Sequence, residues 1–251
     1  MKKIIALVLV CIMAFAGFAF AENGTLKMGT NAAFPPYEFY DDETGDIVGI
    51  DAEVAAAICA KLGYELEIVD MDFDALITAV ANGKVDMVLA GLTVTEERQQ
   101  NVDFTASYAT GVQVVIVPED SAIISVEDLF AEGASHKIGV QQGTTGDLYS
   151  TWDLEEVGLA TINRYPNGNE AVMALKAGMV DCVIIDNEPA KAYVAANEGL
   201  KILATEYVTE NYAACFAKGS PLLAEFNAAL EALIADGTIA SIIEYYIPVE
   251  E

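Results

Sequence analysis

The sequence predicts an α/β protein built from two related lobes. Helix-patterned segments alternate with short apolar strand-like runs along the chain, which is typical of this fold class. One helix–glycine–strand unit occurs twice, as AVANGKVDMVLAG (79–91) and ALKAGMVDCVIID (174–186). The chain has 251 residues and is 54% hydrophobic, so it is long and apolar enough to form one large domain or two small ones.

The first lobe begins with strands around an aromatic, proline-broken loop. Asp51 is placed to N-cap a helix that ends at Gly63, where the left-handed conformation of a helix C-cap costs glycine little. In chain order the predicted elements are a strand at 26–30, the aromatic loop at 33–40, a polar turn at 41–46, a brief strand at 47–50, a helix from 51, a half-exposed strand at 64–69, and a helix from 73 into the first repeat.

The second lobe repeats this alternation of strands and helices. Pro221 is well placed at a helix start, because its missing N–H would have no helical partner there. In chain order the predicted elements are a strand at 112–117, a capped short helix at 125–129, a strand at 137–141, a helix opened by the loop 142–146, the repeat helix at 168–177 and its strand, a helix at 188–197, a segment at 201–209 that returns to the first lobe, a strand at 211–217, a helix that starts at 220, and a last helix capped by Thr238.

The chain is expected to cross between the lobes twice, near 109–112 and near 205–210. The first lobe is then discontinuous, with residues 22–110 and 208–251 on either side of a second lobe at 111–207. The two crossing segments would be strands that act as a hinge.

Residues 1–21 have the pattern of a secretory signal peptide. Lys2 and Lys3 form a basic start, an apolar run follows, and Ala19-Phe20-Ala21 gives the small-x-small pattern of a cleavage site. We expect cleavage after Ala21 and a periplasmic or otherwise extracytoplasmic protein. The alternative is an uncleaved anchor, although the run is at the short end for a membrane span of about 20 residues.

Charge and cysteine content exclude several classes of function. The formal net charge of −27 argues against nucleic acid and anionic membrane surfaces as partners. Cys59, Cys182 and Cys215 lie in apolar segments without metal-ligand spacing, and His136 is the only histidine. We therefore expect buried free cysteines, no metal site and no cofactor.

The segment that follows the first repeat strand has the residues of an anion site. Gly91 allows a ligand to approach the backbone, and Thr93 or Thr95 can cap the helix that starts here. Arg98, one of only two arginines, can bind a carboxylate through two parallel hydrogen bonds. The alternative is that Arg98 only offsets acidic neighbours on a solvated helix face.

The second repeat strand ends at Asp186, where a carboxylate can pair with a ligand cation or, alternatively, cap the next helix. A guanidinium from one lobe and a carboxylate from the other would together accept a zwitterion. The loop Gly143–Gly146 offers further N–H and hydroxyl donors, including those of Thr144 and Thr145. Phe34 and Phe73 are aromatic residues of the kind that clamp an apolar side chain, or else ordinary core residues.

These segments resemble the family-3 solute-binding proteins, the polar amino-acid receptors of ABC importers, over essentially the whole mature chain. The resemblance is carried by GTNAAFPPYEF (29–39), VGIDAEVAAAI (48–58), MDFDALITAV (71–80), VDMVLAGLTVTEERQQNVDFTASY (85–108), GVQQGTTGD (139–147) and VIIDN (183–187). It implies the two-lobed type II periplasmic binding protein fold, with two hinge strands and a free amino acid enclosed between the lobes.

The resemblance also implies a role for each site residue. Arg98 would hold the ligand α-carboxylate with Thr93 and Thr145, while Asp186 and the Gly91 carbonyl would hold the α-amino group. Phe34 and Phe73 would flank the ligand side chain, and Asn31 and Gln141 would contact its far end.

The predicted function is therefore a binding protein, not an enzyme, that delivers a free L-amino acid to an ABC permease in the inner membrane. We expect a monomer, and a polar neutral ligand such as glutamine or cystine, because Asn31 and Gln141 are uncharged. The alternative is a basic ligand, if Glu38, Asp41 or Asp42 folds back over the pocket. The alternatives are a periplasmic dehydratase of aromatic precursors on the same scaffold and a ligand-binding sensory module.

Overall fold

The structure is a computed structural model that describes residues 23–248. The predicted signal peptide and its cleavage site lie outside the described residues. The strands are β1 (Thr25–Thr30), β2 (Ala33–Phe34), β3 (Glu38–Tyr40), β4 (Ile47–Val48), β5 (Glu65–Asp70), β6 (Met87–Val88), β7 (Val102–Pro118), β8 (His136–Gln141), β9 (Ala160–Tyr165), β10 (Cys182–Asp186), β11 (Leu200–Ile202) and β12 (Val208–Ala217).

Helices lie between most of these strands, as the sequence predicts. They are α1 (Ile50–Leu62), α2 (Leu76–Ala81), α3 (Glu96–Gln99), α4 (Thr145–Ser150), α5 (Gly168–Lys176), α6 (Asn187–Ala196), α7 (Leu222–Ala235) and α8 (Thr238–Tyr246), with 3₁₀ turns at Phe73–Ala75 and Val126–Phe130 and a π-helical turn at Thr151–Glu155.

Within residues 23–248, nine strands form one sheet in the order β5-β1-β6-β12-β7-β10-β8-β9, with β11 beside β7. β5, β1 and β6 are parallel and belong to the first lobe, whereas β10, β8 and β9 are parallel and belong to the second. β7 and β12 lie between these two groups and pair antiparallel with each other. The carboxyl ends of both parallel groups therefore meet at the middle of the molecule.

β7 and β12 are the connections between the lobes. β7 is 17 residues long, and its register with β12 runs from Gln113↔Val208 to Val102↔Ala217. The register shifts on either side of Ala213, and such irregularities increase the local twist of a strand pair. The domain boundaries predicted at 110/111 and 207/208 fall within β7 and at the start of β12, and they stay a prediction.

The two copies of the sequence repeat have the same local structure. Gly83 and Gly178 both adopt the left-handed conformation, with φ of 69° and 70°. Asp86 Oδ2 accepts a 2.8 Å hydrogen bond from the backbone N–H of Lys27, and Asp181 Oδ2 accepts an equivalent 2.8 Å bond from the N–H of Lys137. Each aspartate thus fastens its helix–strand turn to a neighbouring strand of its own lobe, β1 or β8, which explains why the repeat keeps an aspartate there.

Two helix starts differ from the prediction. α1 begins at Ile50 after Gly49, so that Asp51 is a buried residue inside the helix and not its N-cap. α8 is preceded by Gly237, and Thr238 is its first helical residue. Gly49 has a φ of 124°, and a Cβ there would lie 2.3 Å from the Tyr37 carbonyl oxygen, which is why only glycine fits before α1.

Cys59, Cys182 and Cys215 are buried and free, as predicted. Among residues 23–248, no single helix is long and apolar enough to cross a membrane. α7 and α8 meet the length and composition criteria only when taken together, and they are bent by 73° relative to each other.

Candidate functional site

A cavity lies between the lobes, at the carboxyl ends of the parallel strands. The structure brings all ten predicted site residues together around it. The lining residues are Asn31, Phe34, Glu38, Phe73, Ala90, Gly91, Thr93, Arg98, Gln141, Thr144, Thr145 and Asp186. Ala90 was not expected from the sequence, Glu38 was only one of three acids that could fold back over the pocket, and the binding role of all twelve remains a prediction.

Arg98 is held in the cavity by its own short helix and by the second lobe. The Thr95 side chain caps α3 by accepting a 3.1 Å bond from the Arg98 N–H. The guanidinium is 7% exposed, and it donates to the Thr93 carbonyl at 2.8 Å and to the Gly143 carbonyl at 3.1 Å. Asp103 pairs with Lys218 instead, and the ion pairs found within residues 23–248 do not include Arg98. The interpretation of Arg98 as a partner of surface acids is therefore wrong.

Asp186 does not cap the helix that follows it. α6 starts at Asn187, and the Asp186 side chain makes no capping bond. Its carboxylate instead accepts a hydrogen bond from the Tyr212 hydroxyl and is 5% exposed. Burial and, after it, the nearby Glu210 charge raise the pKa of Asp186 to about 7. A ligand ammonium group would favour the ionised form by supplying the missing countercharge.

Gly91 lies where the first-lobe backbone reaches the cavity. Its φ is +52°, and a Cβ there would lie 2.8 Å from the Phe34 ring. Its N–H donates a 2.7 Å bond to Asp51, which also accepts a 2.7 Å bond from the Tyr108 hydroxyl. The buried Asp51 therefore holds the Gly91 turn in place. Asp51 was expected to cap α1, and its carboxylate has this tertiary role instead.

The polar side chains of the two lobes meet across the cavity. Gln141 Nε2 donates a 2.9 Å bond to Asn31 Oδ1, and Asn31 Nδ2 donates a 2.9 Å bond to the Met71 carbonyl. Phe73 lies on another side, with its ring centroid 5.5 Å from the guanidinium carbon of Arg98. Thr144 caps α4 by accepting a bond from the Asp147 N–H, so that its hydroxyl is engaged in the protein itself.

Glu38 is the most unusual residue of the cavity wall. It is 0% exposed, and among the residues that the structure describes its carboxyl group has no donor and lies beside the carboxyl group of Asp51. Burial, followed by the charge of Asp51, raises the pKa of Glu38 well above its ordinary range. In the sequence, Glu38 is marked only by being an acidic residue in an apolar loop. That does not show whether its side chain points into the cavity.

Glu210 and Gln113 lie behind the cavity wall on the two connecting strands. Glu210 Oε2 accepts from the Thr93 hydroxyl at 3.0 Å, from the Thr145 hydroxyl at 2.8 Å and from Gln113 Nε2 at 3.1 Å. Neither residue was expected from the sequence, because polar residues are mostly exposed and a single one in a strand does not indicate a buried position.

Two α/β lobes joined by two strands, with a guanidinium and a carboxylate facing one cavity from opposite lobes, define the class of two-lobed ligand receptors. The chain belongs to the bacterial extracellular solute-binding proteins, family 3, whose model matches residues 26–249.

Individual relatives cover nearly the whole chain. It is 34% identical over 250 residues to the arginine-binding extracellular protein ArtP of Bacillus subtilis, with 95% of each chain covered. An ancestral arginine-binding protein bound to arginine shares 40% identity at a TM-score of 0.82, covering 89% of this chain and 98% of the other. The same kind of protein bound to glutamine gives 40% identity and a TM-score of 0.81, with 89% and 97% covered.

These similarities confirm the type II periplasmic binding protein fold and the amino-acid receptor class of ABC importers. The protein is a binding protein and not an enzyme, so the dehydratase alternative is set aside. The family is extracellular, in agreement with the predicted export, whereas cleavage after Ala21 stays a prediction.

Proposed function

We propose that the protein is the receptor of an importer for a basic amino acid, with L-arginine as the first candidate. The observation that carries this proposal is Glu38, a carboxyl group at the cavity wall that is fully buried and has no hydrogen-bond donor within residues 23–248. Buried carboxylates are stabilised by a cation or by several donors, and a cationic ligand side chain would supply both.

A count of charges leads to the same ligand class. In the predicted arrangement, a zwitterion engages Arg98 through its carboxylate and Asp186 through its ammonium group. Among the residues that line the cavity, Glu38 then remains as one additional acidic group, and a ligand with one additional positive charge, such as arginine or lysine, would pair with its ionised form. Phe34 and Phe73 add ring faces that attract cations by about 0.5–2 kcal/mol.

The polar neutral preference predicted from Asn31 and Gln141 is not confirmed. That prediction excepted the case in which Glu38, Asp41 or Asp42 folds back over the pocket, and Glu38 is among the lining residues. Two similar proteins, one named as arginine-binding and one solved with arginine bound, support a basic ligand. The ancestral protein bound to glutamine keeps glutamine as the second candidate.

Calorimetric titration of the exported chain with arginine, lysine, histidine, glutamine and cystine tests the proposal. We expect arginine or lysine to bind at least tenfold more tightly than the neutral amino acids. Tighter binding of glutamine or cystine would contradict the basic ligand and restore the earlier prediction. The receptor is expected to be a monomer that delivers its ligand to an ABC permease.

Ligand binding is expected to release protons, because Asp186 must be ionised to pair with an ammonium group. With the pKa of Asp186 raised to about 7, the ligand-free protein holds that proton below neutrality. Affinity should therefore rise as the pH increases from 5 to 7, by up to about tenfold per pH unit for each proton released, and level off above. Calorimetry at pH 6.5 in two buffers of different ionisation enthalpy measures the number of protons.

The same shifts set the sign of the pH dependence of stability. Asp186 and Glu38 keep protons in the folded protein at pH values where the unfolded chain has lost them. The free energy of unfolding of the ligand-free protein should thus fall as the pH rises from about 4 to about 7. Asp186→Asn removes one such titrating group. It should therefore flatten the pH profiles of both the affinity and the free energy of unfolding. Affinity that stays constant between pH 5 and 7 would contradict the assignment.

Closure of the lobes is the expected response to ligand. Rotation about β7 and β12 would open the cavity, and ligand contacts from both lobes would favour the closed form. Small-angle X-ray scattering should therefore give a smaller radius of gyration with saturating L-arginine than without it. An unchanged radius of gyration would contradict hinge closure but leave the ligand class open.

A further inference from the structure

We propose that Glu210 is a positioning residue that ties the two lobes together at the hinge and thereby sets the equilibrium between open and closed forms. This inference rests on the proposed function for its ligand-binding consequence only. Glu210 lies on β12 opposite Gly111 of β7, in the middle of the connecting strands, and is 3% exposed. It is therefore placed at the floor of the cavity and outside its lining.

One oxygen of Glu210 receives a hydroxyl from each lobe. The Thr93 hydroxyl comes from the turn that follows β6 in the first lobe, and the Thr145 hydroxyl comes from the first residue of α4 in the second. Thr93 is also bridged to Tyr212 of β12, so that it is fixed to the same strand as Glu210. Opening the lobes moves Thr145 away from Thr93, and the bond from Thr145 to Glu210 is the one that must break.

The hydrogen bond from Thr145 to Glu210 is a strong one, because its acceptor is a buried carboxyl group that is shielded from water. Gln113 Nε2 donates to the same Glu210 oxygen at 3.1 Å and also contacts the Thr145 hydroxyl at 3.3 Å. The four side chains form one network across both connecting strands and both lobes. A network of this kind favours one discrete arrangement of the lobes over a continuous range.

The network also reaches the predicted carboxylate site. Arg98 Nη1 donates to the Thr93 carbonyl at 2.8 Å, so a Thr93 that is held by Glu210 holds the guanidinium in turn. Thr145 begins α4, and its orientation sets where the first N–H groups of that helix point. Glu210 thus acts on the ligand through Thr93, Thr145 and Arg98 and does not contact it.

The first measurement needs no ligand. Small-angle scattering of the ligand-free protein compares wild type with Glu210→Leu, which removes the acceptor, and with Glu210→Gln, which keeps one oxygen acceptor without the charge. We expect Glu210→Leu to have a larger radius of gyration than wild type and Glu210→Gln to lie close to wild type. Glu206→Gln and Glu206→Leu, at an exposed glutamate four residues earlier, are the matched controls and should leave the radius unchanged.

The second measurement is binding of L-arginine by calorimetry and by stopped-flow fluorescence of Trp152, the only tryptophan of the chain. Glu210→Leu should weaken binding by about tenfold, mainly through faster dissociation, and Glu210→Gln should restore it to within about threefold. In the scattering of the ligand-free protein, Thr145→Val should reproduce the effect of Glu210→Leu, and the double variant should add little, because both changes break the same bond.

The outcomes separate this inference from the proposed function. If wild type binds none of the amino acids, the proposed function fails, and the scattering of the ligand-free variants still decides the role of Glu210. If wild type binds arginine and Glu210→Leu matches it in both affinity and radius of gyration, Glu210 has no positioning role. Should Glu210→Leu fail to fold, Thr93→Val and Thr145→Val remove the donors instead, and a radius equal to that of wild type in both would overturn the inference.

Discussion

Replacing Arg98 by methionine is expected to weaken amino-acid binding by on the order of 30-fold or more. Methionine keeps much of the stem volume but removes the guanidinium, which is 7% exposed and faces the cavity. The ligand carboxylate would then be taken out of water without a cation beside it, and loss of one partner from a buried charged pair typically costs about 2–5 kcal/mol. The loss should appear for every amino acid, because all of them share the carboxylate.

Calorimetry with arginine and with glutamine measures this effect, and Arg98→Lys gives a graded comparison. Lysine keeps the charge but not the planar pair of donors that reaches both the Thr93 and Gly143 carbonyls, so an intermediate affinity is expected. Lys218→Met removes a cation from the exposed pair with Asp103 and serves as the control. Binding by Arg98→Met as tight as that of wild type would show that the carboxylate is held elsewhere.

The fold and most of the site could be predicted because they depend on local sequence signals. Gly83 and Gly178 mark the turn of each repeat, and their left-handed conformation is one that glycine adopts at little cost. Arg98 follows β6 of the first lobe and Asp186 ends β10 of the second, and ligands of open α/β sheets lie beyond the carboxyl ends of strands. The position of each residue relative to its repeat strand therefore pointed to the site.

The residues that escaped prediction depend on tertiary contacts. Asp51 was expected to cap α1, but tertiary bonds from Gly91 and Tyr108 hold it inside the helix. Glu210 accepts hydrogen bonds from side chains that are 117 and 65 positions away along the chain. No local sequence pattern indicates such contacts. Glu38 depends on the direction of one side chain in a proline-broken loop, which the sequence does not define.

Glu38→Gln should reverse the preference of the site. The substitution keeps the side-chain size and removes the charge, so L-arginine binding should weaken by on the order of 30-fold or more, since the cationic side chain would lose its buried partner. Glutamine needs no countercharge for its side chain, and its affinity should stay the same or increase. Parallel titrations with both ligands measure this change in ratio, and Glu43→Gln, in the exposed turn that follows the same loop, is the matched control.

Glu38→Gln should also be more stable than wild type at the pH values at which ionisation of Glu38 destabilises the folded protein. The raised pKa of Glu38 means that ionising this carboxyl group opposes folding. The effect grows as the pH rises above the ordinary pKa of a glutamate side chain. Without ligand, Glu38→Gln should therefore unfold at a higher temperature than wild type at pH 8, and the difference should shrink towards pH 4. With saturating arginine the order should reverse, because only wild type pairs the ligand cation. A variant that keeps its arginine affinity, or loses glutamine affinity equally, would show that Glu38 does not select the ligand charge, and the stability profile would then report burial alone.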